Sequence, residues 1–210
     1  MRKLVYYVGT SLDGFIAGPG GEIDFLPVSD QVMAWIGERY PETLPTHVRP
    51  HLGIQDAPNQ RFDTLVMGLG TYRPALDIGV TSPYAHVRQY VASTTLPEIA
   101  DPAVTLVRDP LELVRSLKAE DGGMDVWLAG GGRLAAALLP EIDEMVVKSY
   151  PVVAGAGVPA FAGGFRPTRF TPTAREEFDN GTQVTWLTRT PQPALGSRPL
   201  AHRALGPYGG

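Results

Sequence analysis

The stretch that decides the fold is DVWLAGGGRLAAALLP, residues 125–140. It begins as a short apolar run that predicts a strand, and it continues after the glycines as a helical run that Pro140 stops. Gly130, Gly131 and Gly132 stand between the two. Such a junction can hold a phosphate, because no Cβ keeps the ligand away and the helix dipole favours an anion. The alternative is a tight turn without a ligand, since the full G-x-G-x-x-G fingerprint is absent.

Composition limits the classes of protein to consider. The chain has 210 residues, of which 43% are hydrophobic and 19% charged, as in one globular domain with a sizeable core. A net charge of −4 gives no basic surface for nucleic acid or an anionic membrane. The absence of cysteine excludes disulfides, thiolate catalysis and Cys-ligated zinc. No apolar stretch approaches the roughly 20 residues of a membrane span, so we expect a cytoplasmic protein.

Strand and helix signals alternate along the first 150 residues. Helices are predicted at residues 29–38 and 110–119, the second with Asp109 as N-cap and Pro110 in its first turn. Short apolar segments predict buried strands at residues 4–8, 65–67, 87–92, 104–107, 126–129 and 145–147. This alternation predicts an α/β fold with a parallel sheet. Asn180-Gly181 lies between two extended segments and predicts an added antiparallel hairpin.

Two segments show no clean period. Residues 41–60 hold several prolines, and we interpret them as a long surface loop or an insertion with a small helical turn. Residues 191–210 are rich in Pro, Gly and Ala and are interpreted as a disordered or loosely draped tail after a single domain of residues 1–190. His47, His51 and His86 show no metal-ligand spacing, so no metal site is expected.

Glycine-rich or hydroxyl-rich turns follow three other predicted strands. They begin at Gly9, at Gly68 and at Ser93. In a parallel sheet these turns would share the carboxyl edge with the triple glycine, where ligands of open α/β sheets bind. Taken alone, the segments at Gly9 and Ser93 are better explained as a surface loop and a capping turn, and the one at Gly68 can be a plain connection. Their common edge is the more specific signal.

An ordered set of motifs resembles the dihydrofolate reductase-like family, closest to its RibD C-terminal type, the reductase of riboflavin biosynthesis. The motifs are TSLDGFIA (10–17), DFL (24–26), DTLVMG (63–68), STTL (93–96), residues 126–139, IDE (142–144) and PVVAGAGVPAF (151–161). The resemblance implies a three-layer α/β fold with a mostly parallel sheet, NADPH bound along the sheet edge, and a homodimer.

The same resemblance implies a set of cofactor-binding residues. They are Ile16, Ala17, Gly68, Thr71, Ser93, Thr94, Ala129, Gly130, Gly131, Gly132, Arg133 and Leu134. One departure is that Leu69 stands where such proteins usually carry a basic residue. The 2′-phosphate of NADPH thereby loses a charged partner, so NADH is a possible cofactor as well. Arg73, in the next turn, is a possible substitute.

Hydride transfer from a bound dinucleotide needs little side-chain chemistry beyond a proton donor. Asp24 is the first candidate and Asp13 the second, because both lie in the glycine-rich segment expected beside the nicotinamide. Asp24 is equally well explained as a turn residue or helix cap, and the Asp13-Gly14 pair is better explained as a turn.

The leading functional hypothesis is an NAD(P)H-dependent reductase of a small heterocycle, in its specific form a 5-amino-6-(5-phosphoribosylamino)uracil reductase. A dihydrofolate reductase is a second version, for which Asp30 and Trp35 offer only a loose acid–aromatic pair on the first helix. A nucleotide-binding module without catalysis is the third possibility, favoured by Leu69 and by the insertion at 41–60.

Overall fold

The computed structural model describes residues 1–191 and has one large sheet of eight strands with helices on both faces. The strands are β1 (Leu4–Thr10), β2 (Phe15–Ala17), β3 (Phe62–Gly68), β4 (Arg88–Ala92), β5 (Val104–Val107), β6 (Asp125–Gly130), β7 (Ile142–Ser149), β8 (Val158–Pro159), β9 (Phe170–Glu177) and β10 (Gln183–Arg189). The helices are α1 (Asp30–Arg39), α2 (Leu69–Asp77), α3 (Pro110–Ala119) and α4 (Gly132–Leu138).

The sheet order is β5-β4-β3-β6-β1-β7-β10-β9, and the first six of these strands run parallel. Strands β10 and β9 continue the sheet as an antiparallel hairpin. One face packs against α1 through Val32, Trp35 and Ile36, and the other packs against α3 and α4. The predicted three-layer α/β fold and its C-terminal hairpin are therefore confirmed.

The helices begin where their capping residues predict. The Ser29 hydroxyl accepts from the Val32 N–H at 3.3 Å and starts α1. The Asp109 carboxylate accepts from the N–H groups of Leu111 and Glu112 and starts α3. These side chains satisfy backbone donors that have no partner inside the helix.

Of the two interpretations of residues 41–60, the insertion with a small helical turn agrees with the structure, whereas a surface loop does not describe their first part. Two 3-10 turns, Pro41–Thr43 and Arg49–Leu52, form there, and Glu42 is completely buried. Its carboxylate accepts backbone N–H bonds from Gln60, Arg61 and Phe62 at 3.1, 2.8 and 2.8 Å. The segment is therefore anchored to the start of β3, a contact too distant in sequence for local periodicity to show.

Ion pairs close the amino-terminal edge of the parallel strands. Arg2 is only 4% exposed, and its guanidinium pairs with Asp63 and Glu120 while donating to the Thr64 hydroxyl at 2.7 Å. Further pairs at this edge are Lys3–Glu144, Arg61–Asp125 and Lys118–Asp143. The opposite, carboxyl edge carries glycines and hydroxyl groups instead, so the two edges differ sharply in chemistry.

The predicted tail, residues 191–210, lies outside the described residues from position 192 onward. Within residues 1–191, no helix combines the length and apolar character needed to cross a bilayer.

Candidate functional site

The carboxyl ends of the central parallel strands bring the predicted turns together. Gly68 at the end of β3 is in register with Ala92 at the end of β4, directly before Ser93. On its other side, β3 pairs with β6, where Met67 is in register with Gly130. The turns predicted to cooperate therefore do lie on adjacent strands of one edge.

The glycine turns of β3 and β6 touch each other and two side chains. A Cβ built on Gly68 would lie 3.5 Å from the Gly130 carbonyl oxygen and from the Gly131 nitrogen. A Cβ built on Gly131 would lie 3.8 Å from Ile16 Cδ1 and 3.9 Å from Thr71 Oγ1. The Gly130–Gly131 peptide is cis. The half-buried glycines at 68 and 131 thus form a cradle bordered by Ile16 and Thr71, which a larger side chain at 131 would fill.

Gly132, the third glycine of the turn, is required for a different structural reason than Gly131. A Cβ on Gly132 would lie 2.0 Å from the Pro159 carbonyl oxygen, and its own carbonyl accepts from the Ala162 N–H at 3.0 Å. Gly132 is therefore required by the close approach of β8, which pairs with β2 and so positions Ala17. Any contact between Gly132 and a cofactor would come from its main chain.

Helix α4 has only seven residues, so its dipole attracts an anion less strongly than the sequence suggested. Arg133 in its first turn is exposed, whereas the Leu134 side chain is buried in the core beside α3. Leu134 can contribute only its main chain to a ligand. The cradle therefore depends on the converging turns more than on the helix terminus.

The outer part of the edge holds the predicted Ser93 and Thr94. The Ser93 hydroxyl accepts from the Leu96 N–H at 3.0 Å, and Thr94 is exposed. Arg108, which the sequence analysis missed, donates to the carbonyl oxygens of Ser93 and Leu96 at 2.6 Å each. It places a cation beside this turn, although nothing in its position before a helix cap distinguishes it in the sequence. On the inner part of the edge, Ala129 is half-buried against the core that α1 covers.

Asp13 holds two loops together. Its carboxylate accepts from the Ser11 hydroxyl at 2.6 Å and from the N–H groups of Ala154 and Gly155 at 3.0 and 2.7 Å. The hydrogen bond from Ser11 and those from the backbone lower the pKa of Asp13 to about 2. A carboxylate that stays ionised at neutral pH is a poor proton donor. The geometry thus favours the turn interpretation of Asp13 over the catalytic one.

Replacing Asp13 by alanine should release residues 154–155 from the turn after β1. We expect amide hydrogen exchange at Ala154 and Gly155 to become at least about tenfold faster, because both N–H groups lose their acceptor. Because folding lowers the pKa of Asp13 from 3.8, its ionised carboxylate stabilises the folded chain fully above pH 3.8. This stabilisation is lost as the pH falls through about 2. Exchange rates measured at pH 5 check the prediction, and unchanged rates at both amides would contradict it.

Asp24 and Asp30 are both exposed. Asp24 lies in the turn before α1, and its role as proton donor stays a prediction. Asp30 is the first residue of α1, whereas the indole N–H of buried Trp35 donates to Glu176 at 3.1 Å. Asp30 and Trp35 therefore do not combine into the buried acid–aromatic pair that the dihydrofolate version would need.

Two cavities lie away from this edge. One of about 750 Å³ lies between α4, β7 and residues 161–170 and is lined by Leu139, Phe165 and Phe170, among others. Another of about 500 Å³ lies between α1 and residues 52–54. Neither is lined by a residue of the predicted cofactor set.

Comparisons with known proteins give a consistent family assignment. Residues 2–184 match the model of the family described as the RibD C-terminal domain. The uncharacterized protein YwjB of Bacillus subtilis (strain 168) is 26% identical over 188 residues, covering 89% of this chain and 98% of that protein. YyaP, also uncharacterized and from the same strain, is 30% identical over 173 residues, covering 76% of this chain and 80% of its own length.

Solved structures agree with this assignment. A protein from Shewanella sp. PV-4, described provisionally as a riboflavin biosynthesis protein, is 26% identical, with a TM-score of 0.65 and coverage of 91% of this chain and 100% of that one. The Thermotoga maritima diaminohydroxyphosphoribosylaminopyrimidine deaminase/5-amino-6-(5-phosphoribosylamino)uracil reductase has a TM-score of 0.59 at 14% identity. It covers 90% of this chain and 57% of that enzyme, and this likeness shows the fold alone.

Proposed function

The chain belongs to the RibD C-terminal domain family, a family of reductase type in riboflavin biosynthesis, and we propose that it is an NAD(P)H-dependent reductase of a small heterocyclic substrate. The observation that carries the proposal is the contact between the turns at Gly68 and Gly130-Gly131, with Ile16 and Thr71 on either side. The carboxyl edge of a parallel sheet is where dinucleotides bind in open α/β folds.

The residues of the cradle fit a dinucleotide. Gly68 and Gly131 allow a diphosphate to approach the backbone, the Thr71 hydroxyl can donate to it, and Ile16 offers an apolar surface for the nicotinamide ring. When bound, a reduced dinucleotide supplies the hydride. The chain itself orients the acceptor, excludes water and provides a proton to the reduced atom.

A fluorescence titration with NADPH and with NADH, followed by oxidation assays with pyrimidine acceptors, tests the proposal. We expect saturable binding of at least one dinucleotide and acceptor-dependent loss of the reduced cofactor. Binding without oxidation for any acceptor would favour the non-catalytic module, for which the Leu69 departure argues. No binding of either dinucleotide would contradict both functions.

Cofactor preference gives a sharper prediction at Gly70. This residue is exposed on the first turn of α2, and a Cβ there would meet nothing within 4 Å, so a long side chain fits. Leu69 is less suitable because it packs partly into the core. We expect Gly70→Arg to raise the NADPH-to-NADH affinity ratio about tenfold, because a charge-assisted bond to the 2′-phosphate is worth about 1.5–3 kcal/mol.

The matched control for this change is Gly70→Gln, which has similar length and no charge. Dissociation constants for both cofactors at 50 and 300 mM salt would check the prediction, since an ionic gain must shrink at high salt. An equal ratio in the two variants would show that position 70 does not face the adenosine ribose.

A further inference from the structure

The larger of the two cavities is a groove with aromatic walls, on the face of the sheet that α4 covers. Its volume of about 750 Å³ lies within the roughly 300–1,000 Å³ that is typical of sites for small ligands. We call it the aromatic groove, and its lining includes Leu139, Met145, Phe161, Phe165, Arg166 and Phe170. The cofactor cradle shares none of these residues, so the proposed reductase does not explain the groove.

Phenylalanine side chains give the aromatic groove flat apolar surfaces. Phe161 packs edge-on against the Tyr6 ring, with 5.3 Å between the centroids, and is 38% exposed. The backbone beside it is fixed, because the Ala162 N–H donates to the Gly132 carbonyl at 3.0 Å. Phe165 is 99% exposed, although the burial of so large an apolar side chain is favourable. A flat ring that stacks on Phe165 would remove this surface from water.

Among the described residues that line the aromatic groove, Arg166 alone is charged. It is exposed, and its carbonyl oxygen accepts from the Thr168 hydroxyl at 3.3 Å. None of the ion pairs within residues 1–191 includes its guanidinium. A cation is therefore available to a ligand beside an apolar surface.

A second guanidinium borders the aromatic groove. Arg189 Cζ lies 5.0 Å from the centroid of the Phe170 ring, and the side chain donates to the carbonyl oxygens of Ile142, at 2.6 Å, and Leu139. Burial is the main cause that lowers the pKa of Arg189, and the positive charge of Arg166 lowers it further. The two cations are thus close enough to repel each other, and an anion between them would relieve this repulsion.

The carboxylates near Arg189 are paired with other cations. Asp143 and Glu141 act against the lowering of its pKa, so both contribute negative potential there. Asp143, however, lies 2.7 Å from the Lys118 ammonium, and Glu141 lies 2.8 Å from the Arg115 guanidinium. The sequence of residues 192–210 contains arginine but neither Asp nor Glu, so it brings no counter-charge either. An anion for Arg166 would have to come from a ligand.

We infer that the aromatic groove is a second small-molecule site, and that it binds a planar polycyclic ring that carries a phosphate. The ring stacks on Phe165, and the phosphate lies between Arg166 and Arg189. A phosphate monoester carries a charge of about −1.5 to −2 at pH 7, which matches two guanidinium groups. The inference goes beyond the proposed function and does not depend on it.

A second copy of the chain matches the aromatic groove less well than such a ligand. A two-fold interface places the same patch of both subunits against each other. Arg166 and Arg189 would then face the equally cationic groove of the other copy, and no described residue that lines it is acidic. Like charges brought together in this way oppose association.

Titration of the full chain with flavin mononucleotide (FMN) and with riboflavin, followed by quenching of flavin fluorescence, tests the site. The two probes share one planar ring system, and only FMN carries a phosphate. We expect FMN to bind at least tenfold more tightly than riboflavin at 50 mM salt, and the ratio to shrink at 300 mM because the added contact is ionic. Equal affinities, or no binding of FMN, would overturn the inference.

Substitution of Arg166 tests the phosphate contact. Arg166→Gln should weaken FMN binding at least tenfold and leave riboflavin binding within twofold of the wild type. Arg175→Gln is the matched control, because Arg175 is exposed farther along β9, and it should change neither affinity. Unchanged FMN affinity in Arg166→Gln would show that the phosphate binds elsewhere and would overturn the inference.

Substitution of Phe165 tests the stacking surface. Phe165→Ser should weaken both flavins at least about fivefold, since both lose the same contact with the ring. Ile78→Ser is the control, because Ile78 is 65% exposed at the end of α2, and it should leave both affinities unchanged. Sedimentation velocity reports the oligomeric state of each variant. A wild-type dimer that Phe165→Ser dissociates would assign the groove to a second copy and overturn the inference.

The Gly131→Val protein separates the aromatic groove from the cofactor cradle, which the valine would fill. FMN affinity should stay within twofold in this variant while dinucleotide binding is lost. Joint loss of FMN and dinucleotide binding would place the flavin in the cradle and overturn the inference. Arg166-dependent binding of FMN by a wild type that binds neither NADPH nor NADH would contradict the proposed reductase while supporting the second site.

Discussion

Gly131→Val should abolish measurable dinucleotide binding while the protein remains folded. The backbone at Gly131, with φ −78° and ψ −169°, suits any residue, and a Cβ there makes ordinary contacts with Ile16 and Thr71. The two methyl groups of valine would occupy the space between these neighbours, where the diphosphate is proposed to bind. We expect the dissociation constant for NADPH to rise at least about 100-fold, which corresponds to about 2.7 kcal/mol.

Two variants make the result specific to the cradle. Gly131→Ala places only the Cβ there and should give an intermediate loss. Gly164→Val is the matched control, because a Cβ on Gly164 meets nothing within 4 Å and the residue is exposed on a loop outside the predicted site. Fluorescence titration gives the affinities, and the unfolding temperature reports folding. A Gly131→Val protein that binds NADPH like the wild type would remove the basis of the proposed function.

The parts of the fold that could be predicted are those set by local chemistry. The Asp109 cap, the apolar strand runs and the Asn180-Gly181 turn each act within a few residues, and each lies where the sequence placed it. The shared edge of the glycine turns also follows from local information, because parallel strands align their carboxyl ends.

The missed features depend on contacts between distant residues. Lys148 is a charged residue inside an apolar strand, but only the fold reveals that its Nζ lies 3.5 Å from the centroid of the Tyr7 ring. The reason for Gly132 is the close approach of Pro159, which no local pattern encodes. Glu42 lies in the segment that shows no clean period, and its burial depends on three N–H groups at residues 60–62.

Glu42→Ala is accordingly the substitution with the largest expected effect on stability. Three backbone N–H groups lose their acceptor in a buried site, and each unsatisfied donor costs about 1–3 kcal/mol. Water that enters the vacated space recovers part of this loss, so we expect the free energy of unfolding to fall by about 3 kcal/mol. In a chain of this size that lowers the unfolding temperature by about 10 °C. Urea and thermal unfolding measure both quantities.

Two further variants separate the role of the carboxylate from that of a side chain nearby. Oε1 of Glu42 accepts from Arg61 and Phe62, while Oε2 accepts from Gln60. Glu42→Gln keeps one oxygen for the first two donors and turns its amide towards the third, so it should lose about half as much stability as alanine. Glu38→Ala, exposed on α1, should change stability by less than about 0.5 kcal/mol. Equal stability of the Glu42→Ala and Glu38→Ala proteins would mean that residues 41–60 are held by their apolar contacts instead of by this carboxylate.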